Sequence, residues 1–177
     1  MTAEAFYDGL LGWIIWIAGL FWLLGGFALL RQIRIEMALD SMTSRLEEIA
    51  RDLEHDAAAT DGGAPARRKK STEEEASELW QERDDTARRG WIAGQAVVLI
   101  ATALAMMMLH SFAAGLAALL VLGQGVYFIW REWTARRAPT AELAAHAPPT
   151  PATVNAGWVS FAVAMLVWAA AFRGLLN

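Results

Sequence analysis

Apolar and polar positions along this chain sort into four long uncharged runs separated by charged segments. The runs are Leu10 to Leu30, Trp91 to Leu109, Phe112 to Trp130 and Ala156 to Phe172, and none contains Asp, Glu, Lys, Arg or Pro. About 20 helical residues cross about 30 Å of hydrocarbon, so each run predicts one membrane span, the last being the shortest. After the first run the pattern changes rather than stops. Ile35, Leu39, Met42, Leu46, Ile49 and Leu53 follow at separations of 4, 3, 4, 3 and 4 residues, a heptad seam with charged residues on its other faces. The helix is therefore expected to continue out of the membrane with an apolar stripe still attached. Leu39, Leu46 and Leu53 take position a, and Ile35, Met42 and Ile49 take position d, which in a parallel coiled coil leans toward trimers or tetramers.

This pattern predicts an all-α integral membrane protein. It has four transmembrane helices, the first extended into a cytoplasmic coiled-coil-like helix, and a second charged cytoplasmic helix. The expected divisions are an external amino terminus and first span at 1–30, the heptad helix at 31–56 and a flexible basic linker at 57–70. A charged helix at 71–90, a hairpin of spans two and three at 91–130, a proline-rich loop at 131–155 and a last span with a short tail at 156–177 complete it. The stretch His55 to Ser71, with its Gly, Ala and Pro, reads as turn or linker. Its cluster Arg67, Arg68, Lys69 and Lys70 reads as a topological signal with some affinity for anionic lipid headgroups. Ser71 with Glu74, or Thr72 with Glu75, matches a capping box for the charged helix. Asp84 with Arg88 and Asp85 with Arg89 are expected to pair along it at i, i+4. Leu79 and Trp80 are its only large apolar residues before Gly90, too few to cover the seam. The seam is therefore expected to pack on a second copy, or else on a partner protein, with packing inside the same chain as the remaining alternative.

Gly12, Gly19 and Gly26 repeat every seven residues and lay a smooth strip down the first span, where small residues permit close helix approach in lipid. The strip is read as continuing into the seam. Only His110 and Ser111 are left to turn the chain between spans two and three, so those helices must be antiparallel neighbours. Pro139, Pro148, Pro149 and Pro151 suggest an extended connector before the last span.

Composition sharpens the class. The chain has 177 residues, 56% of them hydrophobic, and a net charge of −4 too small to imply a partner. It contains no cysteine, which excludes disulfides and thiolate chemistry. The first run is too long for a signal-peptide core, and acidic residues precede it, so a retained span is expected. With the amino terminus outside, every one of the 15 Lys and Arg residues except Arg173 falls on the cytoplasmic side. Trp91, Trp130, Trp133 and Trp158 then gather at the inner interface, and Trp13, Trp16 and Trp168 toward the outer one. The expected location is a bacterial-type inner membrane with both termini outside.

Candidate chemistry is sparse. Met106, Met107 and His110 share a helical face and form a conceivable Cu(I) set, though Met is also a routine packing residue. No second histidine lies near a span for a haem. No ionisable residue lies within a span for ion transfer, and Gln95, Thr102, Gln124 and Ser160 are read as interhelical hydrogen-bonding residues. Catalytic, phosphate-binding and nucleic-acid-binding patterns are absent from the sequence. No catalytic, cofactor or metal residues are assigned, and the expected partners are the bilayer and a second copy or another membrane protein. The nine interaction candidates are Gly12, Gly19, Gly26, Ile35, Leu39, Met42, Leu46, Ile49 and Leu53. In layout only, residues 1 to about 137 resemble the TolQ and ExbB group of energy-transducing membrane proteins: one span, a large cytoplasmic segment, then two spans joined by a short external turn. The resemblance implies an oligomeric channel or motor-stator component. The chain departs from it by its fourth span and by the lack of a membrane-embedded acidic residue in span three. The favoured expectation is a non-enzymatic accessory, scaffold or assembly subunit, with the stator-like and metal-handling readings behind it.

Overall fold

The computed structural model describes residues 3–61 and 72–176, with side chains over 7–53 and 75–176. Within them the chain is all helical. The helices are α1 (Ala3–Asp61), α2 (Thr72–Met107), α3 (Phe112–Arg136), α4 (Ala141–His146) and α5 (Pro151–Phe172). Four helical segments are long and apolar enough to cross a membrane. The basic cluster at Arg67 to Lys70 lies outside the described residues, and each candidate capping pair includes a side chain that does too.

Helix α1 joins the first apolar run and the heptad segment without a break, and α2 likewise runs from its charged start through Gly90 into the second run. Continuity is physically reasonable, since nothing in either junction removes a backbone donor as proline would. The helix also extends past the expected linker start, through His55–Asp61, where alanines favour helix. At about 1.5 Å per residue, the part of α1 beyond Leu30 is about 45 Å long.

The helices α1, α2, α3 and α5 pack in a closed ring, each against its antiparallel neighbours, including α5 back onto α1. The core is built largely from small residues: Ala103, Ala113, Ala117, Ala164 and Ala170 surround Ile15, Trp22, Met106, Leu120 and Val167. Trp168 donates its Nε1–H to the Ala114 carbonyl at 2.9 Å, satisfying the one polar atom of a ring held between helices. Outside this core a broad apolar surface faces away from the bundle, including Trp13, Phe21, Phe27, Leu122, Ile129 and Phe161.

Two of the connections differ from expectation. The α2–α3 turn takes in Met108 to Ser111, because α2 closes with Leu109 in the left-handed region at φ 49°. His110 N donates to Ala105 O at 2.9 Å and Leu109 N to Met106 O at 3.1 Å, the paired bonds of a Schellman ending. Gly174, at φ 70°, ends α5 in the same way. The proline-rich loop is not an extended connector: α3 persists to Arg136, α4 intervenes, and Pro151 begins α5. Proline is tolerated in the first turn, where its missing N–H has no intrahelical acceptor, and Thr150 caps that turn by accepting from Thr153 N.

Candidate functional site

Among the described residues, the heptad seam is uncovered. Its six side chains, Ile35, Leu39, Met42, Leu46, Ile49 and Leu53, are each between 50% and 66% exposed. Helix α2 packs on the other side of α1: Asp40 pairs with Arg89 of α2, and Ile33 is buried. At about 100° per residue, Ile35 lies about 180° around the helix from Gly26, and the rest of the seam stays near that direction.

The glycine strip serves a different contact. A Cβ at Gly19 would meet the Ala103 carbonyl and Met107 Cγ at 3.0 Å, and one at Gly26 would meet Ile100 Cγ1 at 2.5 Å. These glycines bring α1 and α2 of the same chain together, while Gly12 has nothing within 4 Å. The strip therefore does not continue into the seam. The two features occupy opposite faces of α1, because the helical twist separates positions that share a heptad spacing but not a heptad register.

The second feature is a chamber of about 490 Å³ at the end of the bundle where α1 and α2 leave the apolar zone. Its walls come from α1, α2, α3 and the α4–α5 connection, and they combine Trp91, Tyr127 and Phe128 with Gln95, Gln124 and Arg131. Arg131 is only 4% exposed. Its Nη1 donates to both carboxylate oxygens of Asp84 at 2.7 Å, joining α3 to α2 through a pair whose side chains are 5% and 11% exposed. Among the described residues, Arg131 Nε, Arg88 Nε, Trp91 Nε1 and Gln95 Oε1 belong to the chamber walls and are buried without a hydrogen-bond partner, as is Arg89 Nε outside those walls. An orphaned buried polar atom costs about 1–3 kcal/mol, so their clustering around one chamber calls for an explanation.

No protein-family model, curated protein or solved structure matches this chain.

The Asp84–Arg131 pair was not legible in sequence. Spacing along α2 favoured Asp84 with Arg88 and Asp85 with Arg89; instead Asp85 accepts from Arg88 at 3.3 Å, Arg89 crosses to Asp40, and Asp84 crosses to Arg131. For Asp84, a tertiary partner that excludes water outcompetes the more solvated pairing along its own helix, whereas Asp40 in the Arg89 pair stays about half exposed. Of the polar span residues, Gln124 Nε2 donates to Ser160 Oγ at 3.1 Å and ties α3 to α5. Thr102 bonds to its own helix at Val98 O, 2.7 Å away. The Gln95 amide lies over Gly123, filling the space a Cβ would take.

The methionine and histidine candidates are not brought to one site. Met106 is fully buried in the core and Met107 rests on Gly19, whereas His110 is exposed, stacked on Phe112 with centroids 4.8 Å apart. His110 Nδ1 accepts from Phe112 N at 3.3 Å. Aromatic residues also gather beside the chamber: Trp91 stacks near Tyr127 and Trp130, at 6.2 and 6.4 Å between centroids.

Proposed function

We propose that this protein is a non-enzymatic, multi-pass subunit of a bacterial-type inner membrane that organises a complex by helix association, with copies of itself meeting along the α1 seam. The observation that carries this reading is the exposure of all six large apolar seam residues on a helix whose opposite face is already occupied by α2. Exposed apolar surface of this extent and regularity favours association, and 4–3 spacing is the pattern by which like helices interlock. Self-association is the economical choice because a second copy carries the same period.

Membrane insertion and its direction are supported by independent features. Asp8 pairs with Arg173 at 3.0 Å, gathering the start of α1 and the end of α5 at one end of the bundle. Among the described residues, every other arginine lies on a helix segment or connection toward the opposite end, as a cytoplasmic face requires.

Single cysteines introduced at Leu46 or Ile49 provide a direct test, since the native chain has none. In isolated membranes each is expected to cross-link one copy to another, and Leu46→Glu with Ile49→Glu is expected to abolish native-mass oligomers while insertion survives. Oligomers unchanged by both charges would overturn the seam as the contact. Ion flux in vesicles, the signature of a stator-like component, is not expected from the protein alone.

A further inference from the structure

We propose that the chamber binds the zwitterionic headgroup of an aminophospholipid, with its phosphate on Arg131 and Trp91 and its ammonium at Gln95 and Glu36. The proposal rests on the membrane reading above, but not on self-association.

The guanidinium supplies the first half of the argument. Asp84 occupies Nη1 alone, leaving the edge formed by Nε and Nη2 free of it. That edge presents two parallel donors at the spacing of two oxygens on one phosphorus, which is why arginine recognises phosphate with directional specificity. Arg131 is more than nine-tenths buried, lines the chamber and has an unpartnered Nε. Trp91 Nε1 and Arg88 Nε are further unpartnered donors in the same walls. All three are satisfied by an acceptor-rich group.

Charge decides what accompanies the phosphate. Arg88 and Arg131 stand against Asp84, Asp85 and Glu36, so an anion by itself meets no surplus of positive charge. Glu36 lines the chamber and is held by the Gln32 amide at 3.0 Å, and Gln95 Oε1 is an acceptor without a donor. His146, also in the wall, has Nδ1 2.8 Å from the Glu142 carbonyl; in the neutral ring that geometry leaves Nε2 as another acceptor. A headgroup carrying both phosphate and a primary ammonium supplies partners to both sets at once. A choline headgroup has no N–H to donate, and a glycerol headgroup has no cation.

The location suits a lipid. Aromatic rings beside the chamber are the residues that settle at the membrane interface, and apolar wall residues such as Leu29, Ile92 and Phe128 can receive the start of an acyl chain.

The full chain, reconstituted in nanodiscs of equal phosphatidylethanolamine, phosphatidylglycerol and phosphatidylcholine and then extracted gently, tests this by native mass spectrometry. One phosphatidylethanolamine per chain is expected, retained at least about tenfold over the other two, the ratio corresponding to about 1.4 kcal/mol. Arg131→Lys keeps a cation for Asp84 but loses the fork, and Trp91→Phe loses one donor. Each is expected to cut retention about tenfold with unfolding near wild type. Equal retention of the three lipids, or unchanged retention in both folded variants, overturns the proposal. Specific binding of soluble phosphoethanolamine without lipid retention overturns the lipid source in favour of a water-soluble ligand. The Leu46→Glu, Ile49→Glu protein is expected to keep the lipid as a monomer, so loss of assembly and loss of the chamber's ligand are separately readable. A chain absent from the membrane fraction would refute the shared membrane reading.

Discussion

Removing one partner of the Asp84–Arg131 pair is expected to cost far more than removing both. With side chains 5% and 11% exposed, solvent screens this pair little. Arg131→Met leaves the Asp84 carboxylate in the same enclosure without its two 2.7 Å bonds, a loss of about 3–5 kcal/mol. Asp84→Leu strands the guanidinium and is expected to cost a similar amount. The double variant restores an uncharged, apolar contact between α2 and α3 and is expected to fall within about 2 kcal/mol of wild type. The coupling energy is then at least about 3 kcal/mol, well above the 0.2–1 kcal/mol of exposed pairs. Reversible unfolding in mixed micelles, followed by helical circular dichroism, measures the four corners of the cycle. Single costs under about 1 kcal/mol that simply add in the double variant would refute the reasoning and place the pair in water.

Other expectations follow from the same contacts. Gly26→Ala forces Ile100 or the α1–α2 spacing to move and is expected to lose about 1–3 kcal/mol, whereas Gly12→Ala, with open space around it, is expected to be neutral or to gain up to about 1 kcal/mol; the same unfolding assay compares them. Met106→Ala opens a cavity in the core and is expected to cost about 2–5 kcal/mol, while His110→Ala at the exposed turn is expected to change stability by less than about 1 kcal/mol. Neither substitution is expected to alter copper content measured by elemental analysis, since Met106 is packed inside and His110 is outside. Gly123→Ala collides with the Gln95 amide and is expected to displace it, read as lowered lipid retention alongside a modest loss of stability.

Several features of the molecule were already decided by the sequence. Uncharged runs of about 20 residues predict helices, because a helix satisfies its own backbone where hydrocarbon would offer no partner for an open one. The two-residue gap at His110 and Ser111 forced α2 and α3 together, and the 4–3 spacing from Ile35 to Leu53 defined a stripe whatever covers it. What the sequence left open were choices between partners. A seven-residue repeat at Gly12, Gly19 and Gly26 says that something approaches closely, but only the packed bundle shows that α2 does, and that the seam therefore faces the other way. Asp84 has a local partner in Arg88 at helical spacing, yet it bonds Arg131, distant in sequence, where water is excluded. The chamber belongs wholly to tertiary structure. Its unpartnered donors and acceptors come from α2 and α3, and its walls from α1 and the α4–α5 connection besides; no single stretch of chain contains the pattern. Periodicity reports which face of a helix is apolar; enclosure and charge pairing depend on which helices meet, and that is settled only when the ring closes.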